Sequence, residues 1–201
     1  QLFEADIIEL DIDEVEDACN GLTVHLVAGC PPCQGFSSIR RHNREQPVDD
    51  PRNLLVNEYF CYIERFHPYV FIFENVPAIE NYPLFVDIRE RLRDMGYELD
   101  CKVVNVARYG VPQRRKRFVM IGSRIGGIPI PDGDNTTITV KDVIGNLKPP
   151  DESDDYAQTL VAHHTPRILE MIKKVPHDGG SRADLPDEYI LKCHRKKGIG
   201  F

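Results

Sequence analysis

The most informative stretch of the chain reads Gly29-Cys30-Pro31-Pro32-Cys33-Gln34-Gly35-Phe36-Ser37-Ser38, and it follows directly on an apolar run at residues 22–28. The run is typical of a buried strand, and the two prolines fix φ in the turn that comes after it. A strand that leads into a rigid turn carrying a thiol can hold a nucleophile at the edge of a sheet. Because the thiolate is the reactive form of cysteine, the question is what an accessible Cys33 thiolate attacks.

Two further polar blocks border apolar runs in the same way. Glu74-Asn75-Val76 ends the run at residues 69–73, and Gln113-Arg114-Arg115-Lys116-Arg117 precedes the run at residues 118–122. Taken alone, a carboxylate after a strand is more often solvated than catalytic, and a basic cluster is usually an exposed turn. The three blocks gain meaning from their joint order along the chain.

In that order the blocks resemble the DNA (cytosine-5)-methyltransferase family, whose catalytic motif is Gly-x-Pro-Cys-Gln-x-Phe-Ser. The chain has two residues rather than one between the motif's glycine and its Pro-Cys pair. A lone Pro-Cys-Gln recurs by chance, whereas three blocks in sequence are a specific match. The resemblance covers the central part of the family's catalytic domain. The motif residues matched here are Gly29, Pro32, Cys33, Gln34, Phe36 and Ser37.

The resemblance implies nucleophilic catalysis, which divides one difficult step into easier ones. Cys33 is then the thiolate that adds to carbon 6 of cytosine, so that carbon 5 becomes nucleophilic and accepts a methyl group. Glu74 matches the family's glutamate that contacts ring nitrogen 3 and the exocyclic amine. Arg117 matches the arginine beside the ring carbonyl, with Arg115 as its supporting partner.

Double-stranded DNA is the implied macromolecular partner, and the target base must leave the stacked helix to be reached. The segment at residues 37–45 is polar and basic, and in the family the loop after the catalytic cysteine closes over the extruded nucleotide. The residues predicted to contact DNA are Gln34, Ser37, Arg40, Arg41, Arg52 and Gln113.

The resemblance also implies S-adenosylmethionine as the methyl donor, with no metal. Asp11 and Ile12 match the family's pair that meets the adenine, Leu55 matches an apolar contact, and Pro32 belongs to the catalytic turn. The family's donor loop, Phe-x-Gly-x-Gly, and its ribose-binding acid have no match before Cys33, and the late motif that completes the sheet has none either. We therefore expect the middle of a methyltransferase, which works with the missing parts of the same enzyme or with a complementary subunit.

Several alternatives stay open. Cys30 and Cys33 form a Cys-x-x-Cys, which also occurs in thioredoxin-like redox pairs and in half of a zinc site. The redox interpretation leaves Gln34 to Ser37 without a role, and the zinc interpretation lacks two more closely spaced ligands. A tRNA cytosine-5 methyltransferase shares Pro-Pro-Cys-Gln. An inactive or partner-dependent subunit of a split methyltransferase is the remaining alternative.

The charge of the chain is unevenly distributed. The net charge is −7, which is unusual for a DNA-binding protein, but phosphate contact depends on local patches. Residues 1–26 contain eight acids and no Lys or Arg, whereas residues 102–124 contain seven bases and no acid.

There is no apolar run of about 18 residues, so no membrane span is expected. Six unevenly spaced cysteines indicate a reducing compartment, and we expect the cytoplasm of a prokaryote, with DNA, or the nucleus of a eukaryote.

Hydrophobic periodicity predicts an α/β fold with a doubly wound, parallel, Rossmann-like sheet that is incomplete. Cys33 and Glu74 then fall at the carboxyl ends of strands, where such sheets place their sites. We expect residues 1–125 to form the catalytic core and residues 126–201 to form a linker and the start of a target-recognition region. The predicted strands are 5–10, 22–28, 69–73, 97–107 and 117–123, and the predicted helices are 13–18, 52–66, 84–95 and 166–174.

Overall fold

A computed structural model describes residues 2–32, 54–177 and 179–190 of the chain. The chain divides into two compact units, Gln1–Val143 and Ile144–Phe201. The first unit contains a four-stranded open sheet. The second contains short helices only, within its described residues. The assignment of catalysis to residues 1–125 and of target recognition to residues 126–201 stays a prediction.

The α-helices and strands of the first unit, as far as the end of its sheet, are α1 (Ile12–Cys19), β1 (Leu26–Gly29), α2 (Leu54–Phe66), β2 (Val70–Asn75), α3 (Pro83–Asp94), β3 (Glu98–Asn105) and β4 (Lys116–Ser123). The sheet has the strand order β1-β2-β4-β3. β1 and β2 run parallel, and Leu26 lies opposite Val70. The crossover that parallel neighbours require is long enough to include α2.

β4 departs from the predicted parallel arrangement, because it runs antiparallel to both β2 and β3. Only ten residues, 106–115, join β3 to β4, and they contain one turn of 3-10 helix, Val106–Tyr109. The Val106 N–H donates to the Arg115 carbonyl at 2.9 Å and closes this connection. A parallel crossover needs a dozen residues or more, so the chain can only reverse here.

The core of the unit lies on one face of the sheet. Side chains alternate between the two faces of a strand, so Phe71 and Phe73 of β2 point to the same side as Phe118 and Met120 of β4. Both α2 and α3 pack on that side. The buried cluster comprises Val56, Tyr59, Phe60, Ile63, Phe71, Phe73, Ile79, Phe85, Ile88, Leu92, Tyr97, Phe118 and Met120. Burying a large apolar side chain contributes about 1.5–3 kcal/mol, so this cluster fixes how the sheet and both helices meet.

The strand predicted at residues 5–10 is wrong, because this segment forms a turn. The Asp6 side chain accepts from the Ile8 N–H at 3.0 Å, and the Asp6 carbonyl accepts from the N–H groups of Glu9 and Leu10. Aspartate commonly redirects the backbone in this way. The predicted helix at 13–18 is confirmed as α1, which begins one residue earlier and has Asp11 as its N-cap.

The remaining predicted elements are present with shifted ends. The strand expected at 22–28 is limited to Leu26–Gly29, because its partner β2 begins opposite Leu26. β2 extends to Asn75, so Glu74 lies within the strand rather than after it. Gly96 follows α3 with a φ of +87°, which ends the helix as expected.

Short elements follow β4. They are α4 (Val140–Ile144), the 3-10 helix Pro150–Glu152, α5 (Tyr156–Thr159), α6 (Pro166–Lys174) and the 3-10 helix Arg182–Asp184. α6 has the bounds predicted for it, 166–174. Among the described residues, none of the helices combines the length and the apolar character needed to span a membrane.

Candidate active site

The site lies where β1 and β2 end side by side. The two strands are parallel, and Gly29, the last residue of β1, lies opposite Phe73. Cys30 is the next residue after Gly29, and Glu74 is the next residue after Phe73. The pattern of apolar runs followed by polar blocks therefore brings the catalytic turn and the glutamate together at one edge of the sheet, as expected for α/β folds.

Glu74 and Arg117 form an ion pair across β2 and β4. Glu74 lies opposite Val119, and Arg117 precedes Val119 by two positions. Both side chains therefore leave the same face of the sheet, in the diagonal relation that long side chains can bridge. The Arg117 Nε lies 2.7 Å from the Glu74 Oε1, and the two side chains are 18% and 31% exposed. The resemblance gave each of these residues a role at the pyrimidine ring, but a direct contact between them was not predicted from the sequence.

The second oxygen of Glu74 also has a partner within the protein. The Cys30 Sγ donates to the Glu74 Oε2 at 2.5 Å. Arg117 in turn donates from its Nη1 to the Lys116 carbonyl at 2.8 Å, which restrains the guanidinium. The Glu74 carboxylate is thus held by a cation on one oxygen and by a thiol on the other. In the sequence analysis Cys30 has a role only in the redox and zinc alternatives.

Asn75 connects the end of β2 to the catalytic turn. Its side chain is 2% exposed. The Asn75 Nδ2 donates to the Pro31 carbonyl at 3.1 Å, and its Oδ1 accepts from the Val76 N–H at 2.8 Å. Buried polar groups need such partners. Asn75 therefore fixes the backbone two residues before Cys33. The position of Asn75 directly after Glu74 was the signal in the sequence for a role at the site. Its bond to the Pro31 carbonyl was not predictable.

Tyr59 of α2 packs against the end of β1, directly before the catalytic turn. Its hydroxyl donates to the Ile72 carbonyl at 2.9 Å, and burial raises the pKa of this phenol. A Cβ placed on Gly29 would lie 2.5 Å from the Tyr59 Cε2, so only glycine fits at this point of β1. The glycine that opens the motif is required by close packing against an aromatic ring.

The predicted nucleophile Cys33 lies outside the described residues, and so do the predicted DNA contacts Gln34, Ser37, Arg40, Arg41 and Arg52. Their roles stay predictions. The described chain reaches Pro32, which is exposed and directly precedes Cys33.

Arg115 and Gln113 lie in the connection that leads into β4, and both are exposed. The Arg115 N–H donates to the Gln113 carbonyl at 3.0 Å. Within the described ranges, the guanidinium paired with Glu74 is that of Arg117. The supporting role of Arg115 stays a prediction.

The residues predicted to meet the methyl donor lie on α1 and α2 and in the catalytic turn. Asp11 is exposed and caps α1 by accepting from the Asp13 N–H at 3.0 Å, while Ile12 and Leu55 are half-buried. α1 is tied to α2 through Arg65, which donates to Asp13 at 2.6 Å and to Glu16.

One buried polar atom of α2, in the side chain of Tyr62, lies near Asp11, one of the residues predicted to meet the methyl donor. The Tyr62 hydroxyl is buried and has no hydrogen-bond partner among the described residues. Burial raises the pKa of Tyr62, and the carboxylates of Glu58 and Asp11 add to the shift. Asp11 offers a carboxylate that can accept from an amine, and the next residue, Ile12, is half-buried and apolar. This pair fits the adenine end of a nucleoside.

Comparisons with known proteins agree with this geometry. The profile of the C-5 cytosine-specific DNA methylase family matches residues 1–196. The type II methyltransferase M1.HphI of Haemophilus parahaemolyticus is 34% identical over 93% of this chain and 52% of its own length. The type II methylase M.HgiDII of Herpetosiphon aurantiacus is 29% identical over 98% of the chain and 57% of its own length. The chain spans about half the length of these two relatives.

Solved structures give the same result for the fold. A protein described as a DNA modification methyltransferase encoded within a prophage (E. coli) has a TM-score of 0.55 at 26% identity, over 72% of this chain and 41% of its own. The methyltransferase EhMeth of Entamoeba histolytica has a TM-score of 0.57 at 17% identity, over 86% of this chain and 50% of its own, which concerns the fold alone. The predicted methyltransferase fold and the predicted family are both confirmed. With a profile match over nearly its whole length, the chain belongs to the C-5 cytosine-specific DNA methylase family.

Proposed function

We propose that this chain forms the central part of an enzyme that transfers a methyl group to carbon 5 of a flipped-out cytosine in double-stranded DNA. The observation that carries the proposal is the ion pair of Glu74 and Arg117 beside the turn that leads to Cys33. Two of its relatives are named as type II methylating enzymes, so we infer a role in a restriction-modification system. In that role the protein acts in the cytoplasm of a bacterium, with DNA.

The reaction begins with Cys33 as the nucleophile. Its thiolate forms a bond to carbon 6 of the pyrimidine, and the electron pair of the 5,6 double bond makes carbon 5 nucleophilic. After carbon 5 is methylated, a base removes its proton. The electrons of that C–H bond restore the double bond as the thiolate leaves. Cys33 is unchanged at the end of the cycle.

Glu74 and Arg117 act on the ring while the thiolate is attached. Negative charge develops on the pyrimidine, and a proton held at ring nitrogen 3 by Glu74 lowers the energy of that state. The guanidinium stays cationic at any working pH. Because Arg117 is only 18% exposed, its charge is less screened than that of a surface residue, and it stabilises both Glu74 and the ring carbonyl.

S-adenosylmethionine supplies the methyl group as an electrophile when it is bound. Asp11 would accept from the adenine amine, Ile12 and Leu55 would pack against the base, and Pro32 would border the transferred group. These residues bind and orient the donor, and the elements that complete its site belong to parts of the fold that this chain does not match.

DNA contact is supported by charge at the same edge of the sheet. Asn75, the last residue of β2, pairs with Phe118, so β4 starts just beyond the end of β2. The exposed residues Arg114, Arg115 and Lys116 lie immediately before Arg117. Three cations beside the proposed pyrimidine pocket suit the phosphates that flank an extruded nucleotide.

The proposal is tested by transfer of a labelled methyl group from S-adenosylmethionine to duplex DNA and, separately, to tRNA. We expect label on cytosine of DNA with the natural chain and with Cys61→Ser, a matched change on α2, and none with Cys33→Ser. Label on tRNA alone would contradict the choice of substrate. A Cys30→Ser variant as inactive as Cys33→Ser would favour the redox alternative.

A titration with S-adenosylmethionine tests the alternative that the chain is a partner-dependent subunit. On that alternative, donor binding requires structure beyond this chain, because the family's donor loop has no match in it. Saturable binding of S-adenosylmethionine by the 201 residues alone would remove the partner requirement.

A further inference from the structure

We propose that Cys30 is a positioning residue, which orients the Glu74 carboxylate for the pyrimidine and acts only through it. This inference rests on the proposed function. The geometry that supports it is the pair of anchors on Glu74: the Arg117 Nε on Oε1 and the Cys30 Sγ on Oε2.

Two anchors are needed because the last torsion of a glutamate side chain is soft. Rotation of the carboxylate about its terminal bond is broad and roughly two-fold, so one contact leaves its plane poorly fixed. The Arg117 contact comes from β4 and the Cys30 contact comes from the segment after β1. Donors from two separate elements, each on a different oxygen, fix the plane of the carboxylate.

The backbone around Cys30 is itself restrained on both sides. Gly29 precedes it in β1 and lies closely against the Tyr59 ring. Pro31 follows it, and its carbonyl accepts from the buried Asn75 Nδ2. The position of the Cys30 thiol is therefore set by the strand before it and by the side chain of the residue after Glu74.

A thiol suits this role because it is a weak donor. A carboxylate has about four acceptor positions, and among the residues that the structure describes Arg117 and Cys30 use two of those on Glu74. Each oxygen keeps a position for the exocyclic amine and the ring nitrogen of the base. The thiol holds the orientation and yields to the stronger N–H donors of the pyrimidine when they arrive.

The experiment uses the 201-residue chain with Cys30→Ala, which removes the donor, Cys30→Ser, which keeps one, and Cys61→Ala as the matched control. The activity measured is release of tritium from carbon 5 of cytosine in duplex DNA without a methyl donor, because thiolate addition alone makes that position exchange with water. We expect Cys30→Ala to slow release about tenfold, the effect of one lost bond to a charged group. We expect Cys30→Ser and Cys61→Ala to stay within about threefold of the natural chain, and DNA affinity to be equal in all four proteins.

A spectroscopic readout separates positioning from a merely structural role. The infrared S–H stretch of Cys30 is identified as the band that disappears in Cys30→Ser. We expect this band at a lower frequency than the S–H band of Cys61. It should rise in Glu74→Ala, where the acceptor is lost. A band that does not move would overturn the inference.

The kinetic outcomes distinguish the two levels of the proposal. Release by the natural chain and by Cys30→Ala at equal rates would overturn the role of Cys30 and leave the proposed function intact. Equal slowing in Cys30→Ala and Cys30→Ser, with weakened DNA binding, would show a structural role and overturn it as well. No release by the natural chain would overturn the proposed function for this chain, and the inference with it.

Discussion

Replacing Asn75 with alanine tests how the catalytic turn is held. Asn75 is 2% exposed and makes two hydrogen bonds, to the Pro31 carbonyl and from the Val76 N–H. The alanine variant leaves both of those backbone groups without a partner. An unsatisfied buried group costs about 1–3 kcal/mol. Because Pro31 and Val76 are half-buried and water reaches them in part, the lower end applies to each, and the expected total is about 2 kcal/mol.

Urea unfolding measures this cost as a change in midpoint at constant slope. Asn57→Ala is the matched control, since Asn57 lies half-buried on α2 and, within the described ranges, its side chain donates only to the Cys61 sulfur at 3.7 Å. We expect the control to change the free energy of unfolding by less than about 0.5 kcal/mol. In the folded fraction, Asn75→Ala should lower methyl transfer by about 100-fold, because a displacement of about 1 Å at the nucleophile has that effect. Equal costs for the two alanine variants would refute the reasoning.

Three further perturbations follow from the same contacts. Gly29→Ala places a Cβ 2.5 Å from the buried Tyr59 ring, so its urea midpoint should fall by the equivalent of about 1–3 kcal/mol; an unchanged midpoint would mean that the ring moves freely. A double-mutant cycle of Glu74→Gln and Arg117→Gln should give a coupling free energy of about 1 kcal/mol, as expected for a partly exposed pair; additive effects would contradict a direct pairing. Burial raises the pKa of the Cys101 thiol, so the neutral thiol is favoured in the folded state and the free energy of unfolding should fall as the pH rises beyond about 8.5. Urea midpoints measured across that range should show a weaker decline in Cys101→Ala, and an equal decline would remove Cys101 as its source.

The sequence predicted the parts of the fold that depend on local pattern. Apolar runs located β1, β2 and β4, and helical periodicity located α2 and α3, because burial of one face imposes that pattern directly. The direction of β4 was not predictable, since an apolar run is the same in either direction. The segment at 5–10 has the apolar content of a strand, but the Asp6 side chain and carbonyl bond the following N–H groups and form a turn.

The residues of the candidate site, too, were predictable from the sequence only in part. Motif order singled out Glu74 and Arg117 as residues, and the antiparallel direction of β4, which was not predicted, brings them together as an ion pair. Their catalytic roles stay predictions. Cys30, Tyr59 and Asn75 were given no positioning role, because each acts through a partner distant in sequence: Glu74, Ile72 and Pro31. Such roles depend on register between strands, which residue types alone do not specify.

The most direct measurement is mass mapping of the covalent adduct between this chain and duplex DNA containing 5-fluorocytosine, formed with S-adenosylmethionine present. Fluorine at carbon 5 cannot leave as the proton does, so the thioether persists and marks the attacking residue. We expect the adduct on Cys33 in the natural chain and no adduct in Cys33→Ser. An adduct on Cys30, or on any residue other than Cys33, would contradict the account.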